Sequence, residues 1–158
     1  MNKNKPHVLV IPEDDANGRI ARGFLLGLDN THRVQILRPA RGWLNALQHF
    51  NSYHAAKMRD YRERYCVLLI DFDSHADRLK EAAATIPADL EDRVFIIGAL
   101  TEPEDLRKSL LKSYERIGAD LANDCRDDTY STWNDTLLQH NAAELERLRQ
   151  HVRPILFG

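Results

Sequence analysis

The chain predicts a Rossmann-like α/β fold, three layers built around a parallel sheet. Three observations carry that expectation. Short apolar runs alternate with segments of helical periodicity. The clearest runs are almost purely apolar, as strands are when helices cover both faces of a sheet. Two of them end in acids, at the carboxyl ends where open parallel sheets place their ligands.

Taken in order, His7-Val8-Leu9-Val10-Ile11 is the first strand, closed by Pro12 and the acids Glu13, Asp14 and Asp15. Ile20, Phe24, Leu25 and Leu28 recur at helical spacing over residues 16–28, although Gly18, Gly23 and Gly27 weaken a helix there. Residues 33–37 alternate as a second strand that Pro39 stops. Trp43, Leu44, Leu47 and Phe50 mark a second helix, continued into a loop over residues 52–64. Cys66-Val67-Leu68-Leu69-Ile70 is the strongest strand signal and ends in Asp71-Phe72-Asp73. A short helix over residues 77–86 halts at Pro87, and Val94-Phe95-Ile96-Ile97 is a fourth strand. Pro103 opens a helix with Glu102, Glu104 and Asp105 near the positive end of its dipole. Trp133, Leu137, Leu138, Leu145 and Leu148 predict one long amphipathic helix, capped by Ser131 or Thr132, and residues 151–158 a closing extended segment. Without repeats or linkers, residues 1–158 read as one domain: a core over about 7–110 and a helical extension over 111–158.

Composition narrows the function classes. With 158 residues, 43% hydrophobic and 29% charged, the chain suits a soluble globular domain that folds without a staple. A net charge of −2 excludes a protein that coats nucleic acid by bulk electrostatics. Cys66 and Cys125 form no CxxC pair, so a disulfide framework is not expected. The seven histidines lack zinc-site spacing. The first apolar run is too short for a signal peptide or a membrane span. A cytoplasmic protein is expected.

The acids are the informative feature. If the first and third strands are neighbours, Glu13, Asp14 and Asp15 stand beside Asp71 and Asp73. Asp71 and Asp73 are spaced i, i+2, so in extended backbone both side chains would share one side. Carboxylates so close repel one another unless a cation joins them, and hard oxygen donors favour Mg²⁺ or Mn²⁺. Any single acid is more simply a helix cap, Asp15 or Ser74 among the candidates. Two clusters closing two buried strands favour a metal site.

Val8-Leu9-Val10-Ile11-Pro12-Glu13 and Leu68-Leu69-Ile70-Asp71-Phe72-Asp73, followed by the strand at Val94, resemble the Toprim domain over roughly residues 7–110. The pattern is most similar to small stand-alone Toprim-like proteins and to the Toprim nuclease half of overcoming-lysogenization-defect enzymes. The resemblance implies Mg²⁺- or Mn²⁺-dependent phosphodiester hydrolysis. Glu13 would be base or ligand, Asp71 and Asp73 ligands, and Glu104 or Glu102 a further acid. Asp14, Asp15, His75, Asp77 and Arg19 are accessory candidates. It also implies a DNA or RNA substrate and work beside an ABC-type ATPase in phage defence; a homo-oligomer is a further candidate. Two positions depart from the pattern. Asp14 stands where a Gly commonly follows the first Glu, and His75 where a third acid is usual.

Two other readings stay open. The same acids resemble a response-regulator receiver, with Glu13-Asp14-Asp15 as the acidic pocket, Asp71 as phosphoacceptor and Thr101 after the fourth strand. There the fifth-strand Lys-Pro has its nearest echo in Arg153-Pro154. The third reading is an inactive regulatory or scaffold module. Arg19 and Arg22 follow the acidic loop at a spacing that suits either a substrate phosphate or ion pairs with Asp14 and Asp15.

Overall fold

A computed structural model describes all residues, 1–158. Its sheet has four parallel strands, β1 (His7–Pro12), β2 (Val34–Ile36), β3 (Arg64–Leu69) and β4 (Val94–Ile97), in the order β2-β1-β3-β4. The α/β, all-parallel architecture is the one expected from the apolar runs. Pairing between β1 and β3 runs from His7 beside Arg64 to Pro12 beside Leu69, so both central strands end level. The chain leaves β1 toward β2 on one side and returns to place β3 on the other. The point where the order reverses therefore lies between the ends of β1 and β3.

Eight α-helices surround the sheet: α1 (Asp15–Leu25), α2 (Trp43–His49), α3 (Ala55–Asp60), α4 (Arg78–Ala84), α5 (Pro103–Leu110), α6 (Tyr114–Asp127), α7 (Ala142–His151) and α8 (Arg153–Leu156). A π-helical turn over Phe50–His54 joins α2 to α3. The side chains of β1 alternate between the two faces. Leu9 and Ile11 join Cys66, Leu68 and Ile70 in a core closed by Leu47, Phe50, Met58 and Ala82 from α2, α4 and the segment between them. Val8 and Val10 join Phe95 and Ile97 in a second core under α1, α5, α6, α7 and α8.

Gly23 and Gly118 set the contact between α1 and α6. A Cβ at Gly23 would lie 2.0 Å from the Glu115 carbonyl oxygen, and one at Gly118 would lie 2.0 Å from that of Ile20. Gly23, which weakens the helix as a sequence signal, is thus required by the approach of two backbones.

No fifth strand follows β4. Its free edge is instead covered by side chains of α7 and the residue before it. Asn141 accepts from the Gly98 N–H at 3.2 Å and donates to the Gly98 carbonyl at 2.9 Å. Glu144 accepts from the Ile96 N–H at 2.8 Å, and Arg147 donates to the Val94 carbonyl at 3.3 Å. These bonds satisfy backbone groups that an exposed edge would offer to another chain.

Several sequence expectations are corrected at the C-terminal end. No single long helix spans Trp133 to Leu148, and neither Ser131 nor Thr132 caps one. Asp128 takes a left-handed conformation, φ 55°, and ends α6. The buried Asp124 carboxylate then accepts from the Thr129 hydroxyl and the Thr132 and Trp133 N–H groups, folding this stretch into turns. Trp133 reaches the core from there and donates to the Leu121 carbonyl at 3.1 Å. The last residues are helical rather than extended, with Leu156 buried and its carbonyl accepting from Asn30 N–H.

Gly118→Ala tests the α1–α6 contact with a sign opposite to helix propensity. In an open helix this change stabilises by up to about 1 kcal/mol. Here the clash is expected to destabilise by on the order of 2–4 kcal/mol, read from urea unfolding.

Candidate functional site

The reversal point between β1 and β3 carries the acids. Beyond β1 the Glu13 N–H still donates to the Leu69 carbonyl, at 2.9 Å, so the ladder runs one residue past the strand. The Glu13 carbonyl accepts from the N–H groups of Arg41 and Gly42, at 2.7 and 3.2 Å, which fixes the loop before α2 against the end of β1. Asp14 is extended and caps α1, its carboxylate accepting from the Asn17 N–H at 2.8 Å. That cap, taken by Asp14 rather than Asp15, orients Asn17. The buried Asn17 amide in turn donates to the Asp71 carboxylate at 2.9 Å. From the other side, the Asp71 N–H donates to the Glu13 carboxylate at 2.6 Å.

Asp71 is 4% exposed. Burial pushes its pKa up to about 8. The Asn17 bond opposes that rise, and the carboxylates of Glu13, Asp14 and Asp73 add to it. Glu13 is raised as well, first by burial; the Asp71 N–H works against that, while Asp14 and Asp73 reinforce it. Asp71 therefore keeps its proton near neutral pH, chiefly because burial penalises its charged form, with the nearby carboxylates adding to that.

The backbone at Asp73 is not extended as the i, i+2 reading assumes, although its carboxylate stays near enough to raise the pKa of both Asp71 and Glu13. Asp73 and Ser74 both take left-handed conformations, φ 47° and 61°. Their N–H groups donate to the carbonyls of Thr101 and Leu100, at 3.1 and 2.8 Å, which pins the turn to the loop after β4. The Asp73 carboxylate pairs with Arg78. Arg78, 8% exposed, also donates to the Asp71 carbonyl at 3.1 Å and lies 4.4 Å over the Trp43 ring. Ser74 caps nothing.

The other sequence candidates are dispersed. Glu102 and Asp77 occupy the residues before α5 and α4, exposed and without capping bonds. Glu104 lines a surface hollow with Arg107, Lys108 and Lys112. His75 is exposed. Asp15 lies 3.8 Å from Arg22. Arg19 is committed to α6, gripping Glu115 at 2.7 and 3.4 Å and stacking on Tyr114. Asn17 and Arg78, the two polar side chains that organise the site, carried no signal as functional residues in the sequence.

No group of three or more His, Cys, Asp or Glu side chains is placed to hold a metal ion as the side chains stand. The Glu13 carboxylate accepts from the Asp71 backbone N–H and its charge is near enough to raise the Asp71 pKa, so these two acids are the candidate donors. That donor set fits Mg²⁺, which commonly takes one or two protein carboxylates and fills the remaining positions with water. It does not fit zinc, whose usual nitrogen and sulfur donors are missing here. No family model matches the chain, and no curated protein or solved structure is significantly similar to it. No helix is long and apolar enough to cross a membrane.

The raised pKa of Asp71 makes a signed prediction in metal-free buffer. The folded state keeps the proton up to about pH 8, whereas the unfolded state loses it near the ordinary carboxyl value of 3.8. The folded state therefore binds more protons between these values, and its stability falls as pH rises through that window. Asp71→Asn keeps the Asn17 bond and removes the titration. At pH 7 with EDTA it is expected to be more stable than wild type by on the order of 2 kcal/mol, in urea unfolding, with the advantage gone at pH 4.

Proposed function

We propose that the Glu13–Asp71 site binds Mg²⁺ or Mn²⁺ and supports hydrolysis of phosphodiesters. The observation that carries this reading is the buried Asp71 carboxyl beside the half-buried Glu13 carboxylate at the point where the strand order reverses. Such a pair is costly to the fold and is relieved by a divalent cation. Glu13 and Asp71 would hold the ion, with Asp73 available once it leaves Arg78. When bound, a divalent cation polarises phosphoryl oxygen and lowers the pKa of water. Glu13 is positioned by the Asp71 N–H, so one of its carboxylate oxygens is held while the other is left to accept a proton. Asn17 fixes Asp71, and Arg78 supplies positive charge beside the acids. A DNA or RNA substrate, an ABC-type ATPase partner and a defence role rest on the resemblance to Toprim proteins.

A second reading, a phosphoacceptor at Asp71, is favoured by one observation. The Thr101 hydroxyl is buried without a partner in the loop that follows β4, and that loop holds the Asp73 turn. Against it stands the edge of β4, where α7 occupies the place of a fifth strand. Arg153 pairs with Asp128 instead of reaching the acids.

Incubation with plasmid, single-stranded DNA and RNA in Mn²⁺ or Mg²⁺ separates these readings. Cleavage that EDTA stops and that Asp71→Asn lowers at least about 100-fold is the expected result. Undiminished cleavage by Asp71→Asn would contradict the assignment. No cleavage, together with acid-labile labelling of Asp71 by acetyl phosphate, would place the phosphoacceptor reading first.

A further inference from the structure

The two faces of the sheet are packed differently. On the face under α2, α3 and α4, Cys66, Leu68 and Ile70 of β3 and its extension are fully buried. On the opposite face their neighbours Tyr65, Val67 and Leu69 are half-buried, although β3 is a central strand lying beneath helices. A cavity of about 100 Å³ lies against Val67 and Leu69 on that face. Ala21 and Phe24 of α1, Val67 and Leu69 of β3, Leu121 of α6 and Leu148 of α7 are among its walls. Gly23 and Gly118 lock α1 and α6 backbone to backbone, and the small Ala21 faces the sheet where a larger side chain would fill the gap.

Of 20 lining residues, 18 are hydrophobic, so the space offers water almost no partners. Cavities of this character stay dry and take apolar guests; a space of about 150 Å³ accepts benzene or xenon. We infer that this cavity is a binding site for a compact hydrocarbon group, a short alkyl chain or a single ring, seated between the sheet and α1. One wall is the buried Asn17, the residue whose amide holds Asp71. Occupancy is therefore felt at the acidic site through a side chain common to both, and the cavity itself needs no cation to bind its guest.

The test uses the full chain in EDTA, so that it is independent of the metal reading. Xenon, benzene and n-pentane are the probes, the last two separating ring from chain. A saturable ¹²⁹Xe shift and a rise in Tm of about 2 °C with benzene or n-pentane are expected. The Asn17 side-chain amide resonance should move with the same midpoint. Ala21→Leu fills the space and should abolish all three responses. Val67→Ile, a one-methylene addition in case Ala21→Leu does not fold, should weaken them several-fold. Absence of a saturable response in wild type would overturn the proposal, as would binding that both variants leave unchanged. An Asn17 amide that stays still while guests bind would overturn its coupling to the acids.

Discussion

The 2.6 Å hydrogen bond from the Asp71 N–H to the Glu13 carboxylate ties the ends of the two central strands and joins two acids whose pKa values burial raises. Most of the surrounding construction serves that contact. The level ending of β1 and β3 sets the separation of the acids. The Asp14 cap on α1 sets Asn17, which supplies the one hydrogen bond the Asp71 carboxylate receives from a side chain. Arg78, buried against Trp43, places a fixed positive charge on the far side of Asp71. An uncompensated buried carboxyl destabilises a fold, and here the instability is concentrated where an open parallel sheet offers its ligand site.

The sheet's two faces divide the labour. The face packed by α2, α3 and α4 is tight and gives the acids a rigid floor. The other face carries the glycine-locked pair α1 and α6 and is looser, with Asn17 at the junction between loose packing and acidic site. The free edge of β4 is closed by Asn141, Glu144 and Arg147. In consequence the C-terminal helices complete the sheet rather than decorate it.

The strands were legible because continuous apolar runs between helical patterns have few other solutions in a chain of this size. The acids at their ends were legible for the same reason, since strand order alone brings Glu13 beside Asp71. The left-handed turn at Asp73 was not legible because it is set by carbonyls at Leu100 and Thr101, some 27 residues further along the chain, and no local pattern announces them. Asn17 and Arg78 acquire their roles only through tertiary contact; each is an ordinary helix residue in sequence. Trp133 and Leu138 were read as a helical stripe, but the Asp124 carboxylate organises that stretch as turns. A buried acid capturing backbone N–H groups eight or nine residues away leaves the hydrophobic count unchanged while altering the path of the chain.

Asp71 is a carboxyl kept protonated chiefly by burial, and under the proposed function it would give up that proton to a divalent cation. A ¹³C NMR titration of the Asp71 carboxyl, with and without Mg²⁺, tests it directly. The expected midpoint lies near 8 in EDTA and falls by at least about one unit in saturating Mg²⁺. A midpoint in the ordinary carboxylate range, unmoved by Mg²⁺, would contradict the account.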